Sequence, residues 1–365
     1  MTKRQMWLRF IAHLDGQLML GVGLLLLTSL LILFSASDGN WGRVGGQTLN
    51  ILVAFTGLWV VANLPLHYLM RTALPIYALG MLLLIGVALF GDISHGARRW
   101  LNIGVATIQP SELMKIGVPL MMAWYFEKHE ATLTLKNYLI ATLLLLVPVG
   151  LIARQPDLGT ALLITASGFY VLFLAGLSWR IIGGMFVAAI ASAPLLWTSL
   201  HDYQKHRIEM LFDPSQDALG KGYHTIQGMI AVGSGGIVGK GYMDGTQTHL
   251  DFLPERTTDF IFAVYSEEFG LIGNVILLAM YGFVIYRGFT ITAGASTYFT
   301  RLMAGSITLT FATYAFVNMG MVSGILPVVG VPLPLISYGG TSMVTLLLGF
   351  GMLMSIETHQ KLNKS

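Results

Sequence analysis

The 365-residue chain contains no cysteine. That absence excludes a disulfide framework, a thiol nucleophile and any cysteine-ligated metal. Charge is scarce as well, since Asp, Glu, Lys and Arg make up only 11% of the residues, against about 25% in soluble domains. A soluble fold of this length could not cover its surface with so few charges. The net charge of +3 is too small to point to nucleic acid, and residues 302–356 hold no charged side chain at all. Apolar sequence is abundant instead, with 55% hydrophobic residues and a mean hydropathy of +0.69. Apolar runs of about 20 residues, the length that crosses a bilayer core, recur along the chain. They are continuous and not alternating, which excludes an outer-membrane barrel. The composition predicts an all-α polytopic membrane protein and excludes soluble enzymes, nucleic-acid binders and disordered chains.

Ten transmembrane helices are expected, at about 16–36, 47–64, 73–90, 111–127, 137–153, 158–176, 181–200, 271–287, 302–323 and 340–357. The third is bounded by Pro75 and Gly91, and Glu112 and Lys115 interrupt the start of the fourth. The first follows Lys3, Arg4 and Arg9 but is longer than a signal-peptide core, so it reads as an uncleaved helix. Residues 1–365 read as a single membrane domain with one large hydrophilic loop, 201–258. An even span count puts both termini on one side. That side collects eleven lysines and arginines, whereas the opposite short loops hold four, Arg43, Arg98, Arg99 and Arg154. The positive-inside rule therefore places the termini in the cytoplasm, and the large loop and the Pro/Gly-rich stretch 324–340 outside. Irregular backbone at a membrane edge must be covered by protein or water, so 324–340 predicts a cavity on that outer side. No internal repeat is visible, which counts against an inverted-repeat transporter.

Charges at the membrane edge are costly and mark candidate sites. Arg98, Arg99 and Trp100 precede the fourth span, and Glu112 and Lys115 share one helix face at i and i+3. Asp157 opens the sixth span, and Asp259 ends the large loop. All lie near the outer headgroup plane, which suits chemistry on a lipid headgroup more than transport through a midplane site. The residues alone leave other roles open. Glu112 and Lys115 suit a structural ion pair, and Asp157 suits an N-cap as well as it suits chemistry. Arg98 and Arg99 suit lipid-phosphate contacts. Glu267 and Glu268 read as the solvated end of a short interfacial helix, 259–269, that breaks at Gly270.

Other motifs fail. The glycine-rich segment 233–241 lacks the glycine and the Ser or Thr that a P-loop needs, and reads as a flexible loop or a hydrogen-bonding strip beside a glycan. No histidine pair has metalloprotease spacing, and no metal-ligand set can be read. Tyr203, Lys205 and Arg207 form a basic, aromatic stretch suited to phosphate or sugar contacts, or to a solvated helix.

In chain order, Gly96-Ala97-Arg98-Arg99-Trp100, Gln109-Pro110-Ser111-Glu112, Gln155-Pro156-Asp157-Leu158-Gly159-Thr160, Leu253-Pro254-Glu255-Arg256 through Asp259-Phe260, Glu267-Glu268-Phe269-Gly270, Gly330-Val331-Pro332-Leu333-Pro334 and Ser337-Tyr338-Gly339-Gly340 resemble the SEDS (shape, elongation, division, sporulation) family. The match covers nearly the whole chain, and the loop segments are most similar to the cell-elongation branch, with the division branch as the nearest alternative. The resemblance implies a peptidoglycan glycosyltransferase on the outer face of the bacterial cytoplasmic membrane. It would polymerise lipid II into β-1,4 MurNAc-GlcNAc glycan strands and release undecaprenyl pyrophosphate. It also implies a class B penicillin-binding protein transpeptidase and other elongation-complex membrane proteins as partners, and a divalent cation, Mg2+ or Mn2+. Asp259 falls on the family's essential loop aspartate, Glu112 and Lys115 on its fourth-helix pair, Arg99 on its outer arginine and Asp157 on its sixth-helix aspartate. Thr257 stands where the family often has histidine. Inverting transfer from a diphosphate donor needs a base, for which Asp259 is the candidate, and cations on the leaving group. Arg99 and Lys115 would supply the cations, with Glu112 orienting Lys115 and Asp157 holding a ligand or bracing the site; Arg98 and Arg207 are further substrate-binding candidates. A lipid II flippase and a noncatalytic scaffold are the competing readings.

Overall fold

The computed structural model describes residues 14–94, 97–102, 107–155, 157–199, 205, 209, 211, 221–249, 253 and 255–364. Its helices are α1 Gly16–Ala36, α2 Trp41–Ala62, α3 Leu66–Phe90, α4 Pro110–His129, α5 Leu135–Arg154, α6 Leu158–Leu174 and α7 Trp179–Ser199. They continue with α8 Lys221–Ser234, α9 Thr246–His249, α10 Ile261–Gly294, α11 Tyr298–Val322 and α12 Gly340–Lys364. Three short antiparallel strands, β1 Asp92–Ser94, β2 Ala97–Asn102 and β3 Thr107–Ile108, lie between α3 and α4 in the order β1-β2-β3.

Seven of the described helices are long and apolar enough to cross a membrane, and Leu158–Leu174 and Trp179–Pro194 are shorter apolar segments. The protein is a helical membrane protein. Leu20, Leu27, Leu82 and Phe186 are among many large apolar side chains left exposed on the outside of the bundle, where lipid would solvate them. α11 is the central helix, packed by α10, α6, α4 and α12. Close approach needs small residues: a Cβ at Gly288 in α10 would lie 2.4 Å from the Thr308 hydroxyl of α11.

Three expectations change. α3 starts at Leu66, directly after Pro65 (φ −60°, ψ 143°), so Pro75 lies inside the helix and does not bound it. A proline in a spanning helix costs one hydrogen bond that neighbouring groups can replace. The second change concerns 259–270. The break at Gly270 is present (φ 62°, ψ −158°), but Glu267 and Glu268 are buried, not solvated.

The glycine-rich segment explains why. The break leaves peptide groups on both sides without helical partners. Lys240 and Gly241 donate their N–H groups to the carbonyls of Glu267 and Glu268 at 3.0 and 3.1 Å. The N–H groups of Leu271 and Ile272 donate in turn to Gly236 and Ile237 at 2.9 and 3.0 Å. A Cβ at Gly239 would lie 2.0 Å from the Glu268 carbonyl oxygen, so this approach requires glycine. Segment 235–241 is thus a wedge hydrogen-bonded into the helix break, a third change, since a flexible loop was expected there.

The two ends of the bundle differ. At one end Arg287 of α10 pairs with Asp15 before α1 and with Glu357 of α12, both at 2.7 Å. At the other, Arg256 bridges to Asp38 after α1, beside the loop that carries Asp259.

Candidate active site

The loop 255–260 is a tight set of turns in which Thr258 and Phe260 both donate backbone N–H groups to the Glu255 carbonyl. Three of its carbonyls, those of Thr257, Thr258 and Asp259, are each held from elsewhere. Tyr338 N–H donates to Thr257 at 2.9 Å, the Ser337 hydroxyl to Thr258 at 2.7 Å, and the Asn318 amide to Asp259 at 2.9 Å. Gln47 of α2, fully buried, donates to the Ser337 carbonyl at 3.1 Å and accepts from Gly339 N–H at 3.3 Å. Arg43 donates to the Thr257 hydroxyl at 2.8 Å. A Cβ at Gly330 (φ 74°) would sit 3.5 Å from Asp259 Oδ2, so the 330–339 segment runs directly beside this carboxylate.

Glu112 and Lys115 form an ion pair of 2.5 Å in which the side chains are 12% and 8% exposed. The Thr345 hydroxyl of α12 donates to the second Glu112 oxygen at 3.2 Å, and Lys115 Nζ lies 5.2 Å from the centroid of the Tyr314 ring of α11. This polar group heads a groove between α4, α11 and α12, whose walls include Ile116, Pro119, Ile307, Phe311, Leu346 and Phe350. A charged mouth over an apolar shaft fits an amphiphile with an anionic head.

Asp157 caps α6, accepting from Thr160 N–H at 3.3 Å, and accepts from Gln109, the residue just before α4, at 3.0 Å. A Cβ at Gly159 would lie 2.7 Å from the Val329 carbonyl oxygen, so the start of α6 abuts the segment that flanks Asp259. Tyr314 and Asn318 are four residues apart on α11 and therefore share a face, about 6 Å apart along the axis. That face joins the Lys115 pair to the Asp259 loop. The starts of α4, α6, α10 and α12 converge here, and their dipoles favour an anion between them.

The family profile of cell cycle proteins that unites FtsW, RodA and SpoVE matches residues 11–362. This chain belongs to that family. The peptidoglycan glycosyltransferase MrdB of Escherichia coli (strain K12) is 49% identical over 362 residues, covering 99% of this chain and 97% of the relative. A chain of a solved peptidoglycan synthase complex, described as coordinating polymerization and crosslinking, superposes with a TM-score of 0.82 at 30% identity and covers 95% of this chain and 98% of its own. The crystal structure of the rod shape determining protein RodA of Thermus thermophilus superposes with a TM-score of 0.72 at 28% identity, covering 94% and 96%.

On this FtsW/RodA/SpoVE scaffold, Asp259, Glu112, Lys115 and Asp157 are brought together around one end of α11. Arg98 and Arg99 lie in β2, ahead of α4 in the chain, where Arg98 pairs with Ile93 across the strands. Arg207 lies outside the described residues. The divalent ion implied by the resemblance finds no protein ligand set among the described residues, where no three His, Asp or Glu side chains gather closely enough to hold one. Sequence reading assigned no role to Gln47, Tyr314, Asn318, Ser337 or Thr345. Asn318 and Tyr314 carried a usable signal, being polar groups inside a stretch with no charge.

Proposed function

We infer that this protein is a peptidoglycan glycosyltransferase of the cell-elongation type. The enzyme class rests on near-full-length identity to MrdB. The assignment of residues rests on one observation: the loop of the Asp259 carboxylate is tied to Asn318 of α11, one turn from Tyr314 in the wall of the lysine-headed groove. Lipid II is the substrate. Its pyrophosphate lies against Lys115 and the converging helix starts, and Arg98, Arg99 and Arg207 are the further cationic candidates for binding it. Its polyprenyl tail follows the apolar groove.

Asp259 takes the proton of the acceptor GlcNAc 4-hydroxyl as that oxygen attacks the donor's anomeric carbon. The bond to pyrophosphate breaks in the same displacement, so configuration inverts and the undecaprenyl pyrophosphate leaves with its charge neutralised by Lys115 and the arginines. Glu112, anchored by Thr345, keeps Lys115 aimed, and Asp157 ties the start of α6 to the start of α4.

α4, α6 and α7 join the seven long apolar helices to make ten spans. The protein sits in the bacterial cytoplasmic membrane with both termini in the cytoplasm and Asp259 outside. The clustering of Asp15, Arg287 and Glu357 at the end opposite the Asp259 loop supports this parity. A class B penicillin-binding protein is the partner of choice, in keeping with the solved synthase complex.

Purified protein, with its transpeptidase partner and labelled lipid II, should make a glycan ladder. Asp259→Asn should insert and purify normally and make none. Ladder formation by Asp259→Asn at the wild-type rate would overturn the base assignment.

A further inference from the structure

Asn318 is fully buried in α11. Its amide nitrogen donates twice, to the carbonyl of Asp259 at 2.9 Å and to that of Val331 at 2.7 Å. Both acceptors lie outside helices, on the two segments that flank the Asp259 carboxylate: the loop that carries it and the stretch that runs past it at Gly330. One rigid amide therefore sets the spacing between them. Its oxygen is among the buried atoms with no hydrogen-bond partner. A buried acceptor without a partner costs free energy, so packing alone is a poor reason for an amide at this position.

The same helix face carries Tyr314, one turn away, whose ring lies against Lys115. A helix turn is stiff, so the pair Tyr314 and Asn318 fixes the Lys115 side of the site relative to the Asp259 side. Loops are compliant, and Asp259 sits on one. The tie to α11 adds a fixed reference to the turn geometry of 255–260 and to the contacts that Ser337, Tyr338 and Arg43 make with this loop.

We propose that Asn318 is a positioning residue, which sets the distance between the base Asp259 and the cation Lys115 by clamping the Asp259 and Val331 carbonyls to α11. The proposal rests on the reading of Asp259 as the base. Misplacement of a reacting group by about 1 Å costs on the order of 100-fold in rate. The effect belongs in kcat, because Asn318 itself does not reach the groove that holds the lipid.

Two variants test it. Asn318→Leu keeps the shape and removes both donors, and Asn318→Asp keeps the size with at most one donor. Both should lower kcat for glycan polymerisation on the order of 100-fold while KM for lipid II stays within about twofold. A second readout is independent of catalysis. Because the chain has no cysteine, Asp259→Cys with Gly330→Cys gives a single pair whose oxidative crosslinking reports the spacing of the two segments. Crosslinking should slow about tenfold when Asn318→Leu is added, and strain at position 330 is common to both arms. Equal crosslinking with and without Asn318, or a rise in KM at unchanged kcat, would overturn the proposal. If Asp259→Asn stays active while crosslinking depends on Asn318, the base reading fails and the clamp stands.

Discussion

Glu267, with no exposed surface, accepts a hydrogen bond from Lys240 at 2.6 Å. The same carboxylate accepts from Gln247 N–H at 3.0 Å and from the Thr246 hydroxyl at 3.1 Å. It thereby joins the glycine wedge, α9 and the first part of α10, whose N-terminus follows Asp259.

Removing one partner of a buried pair leaves an uncompensated charge. Lys240→Met should lower stability by about 3 kcal/mol, read as a fall in the melting temperature in detergent. Lys240→Met combined with Glu267→Gln should recover most of that loss. A double variant as unstable as the single one would show that the pair is not the source of the effect.

Gly270 occupies a backbone region essentially confined to glycine (φ 62°, ψ −158°), and a Cβ there would lie 2.3 Å from the Gly239 nitrogen. Gly270→Ala should displace the wedge and cost roughly 2 kcal/mol or more. Amide exchange of Leu271 and Ile272 should rise with it. Unchanged protection at those two amides would contradict the wedge.

Lys115 separates a structural role from a chemical one. Lys115→Ala should depress turnover by about 100-fold and also lower stability, because Glu112 loses its cation. Neutralising both, with Glu112→Gln and Lys115→Met, should restore stability and leave turnover low. Recovery of turnover in the double variant would make the pair structural only.

Arg287 bridges Asp15 and Glu357 and offsets the repulsion between them at the other end of the bundle. Arg287→Ala should lower the melting temperature at neutral pH and show partial recovery on acidification, when protonation removes the repulsion between the two carboxylates. A melting temperature that falls equally at both pH values would argue for lost packing alone.

Much of the helix layout was readable in advance, because a bilayer imposes length and polarity on each span separately. Gly16–Ala36 matches its expected bounds, and the break at Gly270 was legible from glycine chemistry. The candidate residues Asp259, Glu112, Lys115 and Asp157 stood out for a related reason: charge at a membrane edge is expensive. The burial of Glu267 and Glu268 was not legible. It depends on segment 235–241, distant in sequence, that returns to complete the broken helix.

By itself, then, the amino-acid sequence determined the membrane class, most helix positions and which charged groups required an explanation, since each follows from the local cost of placing a group in lipid. Only the tertiary structure decided which groups meet. The three carbonyls that hold the Asp259 loop are reached from Asn318, Ser337 and Tyr338, and Lys115 meets Tyr314 across helices. These contacts depend on how helices pack side by side, a property of pairs of segments that no single span encodes.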